Sequence, residues 1–158
     1  SSAVSPIFQS YAIICDEKPN NADGGNYSTS AGWVTRDLNT EIADPSSIVS
    51  ITSNRFSLAA GSYLIEWRVP FNKTQESQAR LYNYTDSSVA QYGESAYGHD
   101  GDGVDVNHAG GVARVVITDT KEFEIQFRGS DSNGRGLGVA ANHGGVEIYT
   151  TVKIYKEI

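Results

Sequence analysis

Methionine is absent from the 158 residues, cysteine occurs once and proline only four times. A single cysteine has no partner in its own chain, which excludes a small disulfide-stapled fold and a cysteine-ligated zinc cluster. A chain without Met carries no initiator of its own, so the expectation is a processed product or one domain of a longer polypeptide. Positive charge is scarce too: 12 Lys and Arg against 19 Asp and Glu leave a net charge of -7. That balance argues against binding the phosphate backbone of nucleic acid. No apolar run reaches the roughly 18 residues of a membrane span, and no basic-then-apolar leader opens the chain, so no membrane insertion is expected. What is present suffices for one packed core, since 39% of the residues are hydrophobic and 10% aromatic. Residues 1–6 read as a linker and residues 7–158 as a single domain.

Alternation of apolar and polar residues marks strands throughout. Gly61–Pro70 sets Tyr63, Ile65, Trp67 and Val69 against Glu66 and Arg68. Lys121–Arg128 sets three apolar residues against Glu122, Glu124, Gln126 and Arg128, and a third strand runs from Val146 to Lys156. In this last segment Val146, Ile148, Val152 and Ile154 are expected on one face, with Tyr149, Thr151, Lys153 and Tyr155 on the other. Further strands are expected at Ile7–Cys15, Gly32–Leu38, Ser47–Ile51, Arg55–Leu58, Gln78–Tyr84, Val89–Tyr97 and Val112–Thr118. No stretch sustains helical spacing. About ten short strands without helical crossovers imply an all-β antiparallel sandwich or barrel. The first and last strands are apolar on both faces, which suggests that both faces are covered, either by a loop or by a partner subunit.

Eleven of the 16 glycines, and all three histidines, fall in Gly98–Gly111 and Gly129–Gly145. Long loops on a β scaffold are common binding sites. Asp100, Asp102 and Asp105 resemble the start of a calcium loop but lack the EF-hand glycine and terminal glutamate, so no cofactor is expected and calcium is a weak alternative. His99, His108 and His143 lack the spacing of a zinc site. The chain has no Gly-x-Ser-x-Gly elbow, and Cys15 lies in an apolar strand, so catalysis is not expected. Asn26, Asn72 and Asn83 each fit the glycosylation pattern.

Aromatic rings beside polar loops are the stronger lead, because sugar faces stack on rings while planar polar groups bind hydroxyls. The ligand-binding candidates are Trp33, Tyr92 and Tyr97, with His99, Asp100, Asp102, Asn107 and His108 from the first loop. Asn133 and Arg135 come from the second.

Gly32-Trp33-Val34-Thr35-Arg36-Asp37-Leu38-Asn39-Thr40 resembles a W-x-x-R-x-L-N-T segment of phage-encoded β domains. The likeness continues through Phe56–Ile65, Ala79-Arg80-Leu81-Tyr82-Asn83, Gly136–Asn142 and Glu147–Ile154. It is to tail-fibre or tailspike-associated domains with the complement and tumour-necrosis-factor jelly roll. The resemblance implies a TNF-like jelly roll, a homotrimer whose axis is lined by the sheet holding the first and last strands, and a place on a virion tail fibre or spike. Tyr11, Tyr149 and Tyr155 are the interface candidates. The implied function is non-catalytic binding of a host-surface glycan or receptor. The alternatives are a structural trimerisation or capping domain and, less favoured, a polysaccharide-active enzyme.

Overall fold

The computed structural model describes residues 8–158; the linker assigned to residues 1–6, and Ile7 at the start of the first expected strand, lie outside them. The strands are β1 (Phe8–Lys18), β2 (Val34–Thr35), β3 (Thr40–Ala43), β4 (Ser50–Thr52), β5 (Arg55–Leu58) and β6 (Gly61–Asn72). They continue with β7 (Gln75–Asn83), β8 (Ser88–Gly98), β9 (Val106–Ile117), β10 (Lys121–Gly129) and β11 (Glu147–Glu157). A 3-10 turn at Thr29–Ala31 is the sole helical element among the described residues. Sheet one has the order β3-β1-β11-β6-β9, and sheet two β4-β5-β10-β7-β8, with β2 also pairing β10. The pairings are antiparallel, so the architecture is a jelly-roll sandwich as expected.

Alternation explains how the sandwich closes. In β6, Tyr63, Ile65, Trp67 and Val69 are buried, and β10 buries Phe123, Ile125 and Phe127 against them. Each such side chain contributes roughly 1.5–3 kcal/mol of burial. Pro70 sits where β6 has lost β11 as a neighbour, beyond the Arg68–Thr151 pair, so its missing N–H leaves no acceptor stranded on that side.

Three expectations change. Val146 and Ile148 are exposed and Tyr149 buried, the reverse of the face assigned from sequence. The cause is a bulge: between the pairs Cys15–Thr151 and Glu17–Ile148, β11 advances three residues while β1 advances two. The strand expected at Gly32–Leu38 shrinks to Val34–Thr35, because Arg36 turns its side chain into the interior. The glycine-rich segment ending at Gly111 is loop only as far as Asp105, since β9 begins at Val106.

Candidate functional site

Residues directly opposed on neighbouring strands share a face, so strand register lays out the outer surface of sheet two. One row joins Tyr97 of β8 to Glu76 of β7. The next runs Ser95–Gln78–Arg128 across β8, β7 and β10, and the third Tyr92–Arg80–Gln126–Thr35, ending on β2. Trp33, one residue before β2, falls beside Arg128. Tyr92 and Ser95 are an odd number apart and would point oppositely in a regular strand. A bulge in β8, between the pairs Gln78–Ser95 and Arg80–Tyr92, returns both to the outer face.

Arg80 is the hub of this surface. Its guanidinium carbon lies 4.0 Å from the Trp33 ring centre, 5.4 Å from that of Tyr82 and 5.8 Å from that of Tyr92. Its Nε donates to Gln126 Oε1 at 2.8 Å, and Gln126 Nε2 donates to Glu124 Oε1 at 2.6 Å. The Trp33 and Tyr92 rings are 6.3 Å apart and tilted by 55°. Such stacking is worth about 0.5–1 kcal/mol at an exposed site and fixes the indole over the sheet. Trp33 is therefore half-buried surface, not core. Beside it opens a cleft of about 360 Å³, lined by Trp33, Gln78, Ser95, Arg128, Glu76 and Ser130 among others.

The other candidates are dispersed. Asp105 Oδ2 accepts from the His99 N–H at 2.6 Å, and Asp100 accepts from the Gln75 amide, so these carboxylates tie down their own loop. Among the described residues no group of three His, Cys, Asp or Glu side chains converges for a metal. Asn107 and His108 belong to β9, in sheet one. His108 lines a second cleft of about 570 Å³ with Glu66, Trp67 and Arg68. Burial, and then the Arg68 charge, hold its imidazole below the usual pKa. Asn133 bridges to Tyr27 and accepts the Arg135 N–H, a structural role, while Arg135 is exposed nearby. Asn72 is fully buried and accepts the Asp105 N–H, so its glycosylation pattern is closed off.

The exposed face of sheet one is different in character. Tyr11 and Tyr155 are directly opposed there, with Leu64 next to Tyr155 and Arg114 next to Leu64. Val112 and Val116 share this face, 54% and 61% exposed. Glu66 and Lys153 lie 3.8 Å apart, and Arg114 holds Glu157 with two bonds of 2.8 and 2.9 Å. Tyr149 does not join the other two tyrosines. Its ring is 6% exposed, packs against Gly138, and its hydroxyl donates to Ala22 O at 2.6 Å. The bulge in β11 turns it under its own loops.

Sequence reasoning missed Arg80, Gln78, Glu76, Ser95 and Arg128. Their signal was the polar half of each alternation, which reads equally well as a plain solvated face.

Comparison with solved structures gives the fold a relation. Murine APRIL at pH 8.0 superposes with a TM-score of 0.60 at 8% identity, over 93% of this chain and 98% of that one. Murine APRIL at pH 5.0 gives the same score at 10% identity, over 93% and 98%. The globular domain of zebrafish complement 1qA protein gives 0.58 at 10% identity, over 92% and 95%. No protein-family model and no curated protein matches the sequence. At such identities the likeness is one of fold: a TNF-like jelly roll.

Proposed function

We propose that this domain is a non-catalytic recognition module that assembles as a homotrimer and binds carbohydrate on the outer face of sheet two. The observation that carries the reading is the half-exposed Trp33, held over polar strands by Arg80 and bordered by Tyr92, beside an open cleft. An aromatic ring fixed beside hydroxyl- and amide-bearing residues is what a sugar requires. Nothing in the arrangement supplies a nucleophile with its base. The opposite face, with Tyr11, Tyr155, Val112 and Val116 among paired charges, suits burial against further copies. Three such sites on one particle would bind cell-surface glycans by avidity even when each is weak. The place of the module on a phage tail fibre or spike rests on the sequence resemblance alone.

Light scattering on the purified domain tests the assembly, with about 51 kDa expected, three times the 17.0 kDa chain. A mass of one chain overturns it. A glycan array tests recognition: binding that disappears in Trp33→Ala and Tyr92→Ala supports it, and no binding to any glycan by folded protein refutes it. The sheet-one face equally favours a trimerisation or capping role. That reading expects Leu64→Glu to dissolve the trimers, whereas Trp33→Ala leaves them intact.

A further inference from the structure

We infer that the cleft beside Trp33 selects a neutral sugar unit, held through adjacent hydroxyls between the guanidinium of Arg128 and the carboxylate of Glu76, and that it disfavours anionic glycans. This rests on the carbohydrate reading and narrows it to a ligand class.

The argument begins with what the lining groups still lack. Arg128 and Glu76 are both exposed, and among the described residues neither side chain has a hydrogen-bond or ion-pair partner. They are diagonal neighbours on adjacent strands, because Arg128 opposes Gln78 and Glu76 lies two residues away. Arg128 offers only donors and Glu76 only acceptors. A sugar hydroxyl is both, so a pair of adjacent hydroxyls satisfies the two groups at once. The remaining polar atoms fit the same ligand. The amide nitrogen of Gln78 is engaged with Gly93 O at 3.0 Å, which leaves its oxygen as an acceptor. The Ser130 hydroxyl donates to Glu76 O at 3.2 Å and can still accept, and Ser95 stands free on the opposite strand.

An anionic sugar fits less well for three reasons. Its carboxylate would satisfy Arg128 but face Glu76 across the cleft. The other arginine on this face, Arg80, is stacked on Trp33 and bonded to Gln126, which in turn holds Glu124. Beyond the cleft, a chain of net charge -7 repels a polyanion before it arrives. The volume of about 360 Å³ lies near the lower end of ligand pockets, which run from about 300 to 1,000 Å³, so the cleft takes a sugar unit in place of a long segment. The indole of Trp33 supplies the apolar wall for the ring's C–H face.

The test uses the whole domain and an array carrying neutral glycans of several hydroxyl configurations beside sialylated and uronate-containing ones. Hits are then titrated with Arg128→Gln, Glu76→Gln and Trp33→Ala. Both polar positions are exposed, so melting temperatures should match the parent protein and report folding independently. The proposal expects a neutral glycan as the best ligand, at least tenfold weaker binding in each polar variant, and affinity that changes less than twofold between low and high salt. A best ligand that is acidic, lost in R128Q and strongly salt-dependent, overturns the neutral class while leaving carbohydrate recognition standing. Neutral binding untouched by both R128Q and E76Q overturns the assignment to this cleft. No glycan binding by the folded domain removes the carbohydrate reading itself, and this inference with it.

Discussion

Gly111→Ala should destabilise the domain sharply, although glycine-to-alanine changes at ordinary backbone angles usually help. Gly111 has no left-handed backbone angle, so the unfolded-chain effect alone favours alanine by about 0.4–1 kcal/mol. Sterics reverse the sign. Gly111 is directly opposite Trp67, and an added methyl would overlap the indole, with Cη2 2.8 Å away and Cε2 and Cζ2 closer still. The ring cannot retreat easily, because its other neighbour is Gly93 in the β8 bulge, whose own methyl position is 3.2 Å from Cζ2. Overpacking of this kind costs about 1–3 kcal/mol, and the overlap puts it near the top of that range. The net loss is then about 2–3 kcal/mol, or roughly 4–12 °C in melting temperature for a domain of this size. In a Trp67→Leu background no side-chain atom reaches the overlapping ring positions, and the same substitution should be neutral or mildly stabilising. The double-mutant cycle therefore predicts a coupling of about 3 kcal/mol, at the upper end for residues in contact. Melting must be compared at one protein concentration, because association shifts apparent stability. A loss under about 2 °C in the parent protein, or equal losses in both backgrounds, refutes the reasoning.

Arg80→Met should weaken glycan binding several-fold and lower the melting temperature by only about 1–4 °C, the stacking it loses being worth about 0.5–1 kcal/mol. Quenching by neutral acrylamide should rise at the same time, because Trp67 is buried and Trp33 is the tryptophan Arg80 holds. Glu147 accepts N–H bonds from Asn21 at 2.8 Å and from Ala141 and Asn142 at 3.0 Å, with the Asn21 bond foremost in holding its carboxyl below the ordinary pKa of 4.5. A depressed folded-state pKa means that its stabilisation is present above 4.5 and is lost as pH falls through the folded value. Glu147→Gln should accordingly flatten the acid limb of a melting-temperature profile; an unchanged profile rejects this role. Burial, with help from the charges of Glu17 and Asp16, pushes the Cys15 thiol up to about 11. The folded protein should ignore a thiol reagent at pH 8 and react fully once unfolded, and rapid labelling of folded protein contradicts the buried position.

What the sequence revealed followed from locality. In β6 and β10 each residue's face depends only on its neighbours, so Ile65 and Phe127 could be read as core directly. One extra residue in β11 was enough to defeat the same reading, since a bulge inverts every position beyond it and leaves no mark in the composition. The candidate site was harder for a related reason. Trp33, Arg80, Tyr92 and Arg128 come from four separate segments, brought together by pairings of β2, β7, β8 and β10 that no local pattern encodes. Glycine-rich composition pulled attention to Gly98–Gly111, where Gly110 and Gly111 in fact serve β9, and Gly111 leaves room for Trp67.

The segments that carry the sequence resemblance prove to be mutual attachments. Arg36 is fully buried, its Nε donating to Thr150 Oγ1 at 3.0 Å and its Nη2 to Leu137 O at 2.7 Å. Those acceptors lie in the two later segments of the resemblance. Asn39 donates through its backbone to Cys15 O at 3.0 Å and through its side chain to Asp16 at 2.9 Å, while Leu38 enters the core. A pattern built from such pins reports how loops are tied to the sandwich, which is why it tracks fold more closely than ligand. Trp33 and Arg80, from two of these segments, meet on the outer face of sheet two, and together they make the stacking platform. Glu76, Gln78, Ser95, Arg128 and Ser130, which line the cleft beside that platform and on the proposed reading select its ligand, all fall outside the shared segments. Division of labour follows from the chemistry: a ring accepts any sugar with an apolar face, and only the polar groups beside it distinguish one hydroxyl pattern from another.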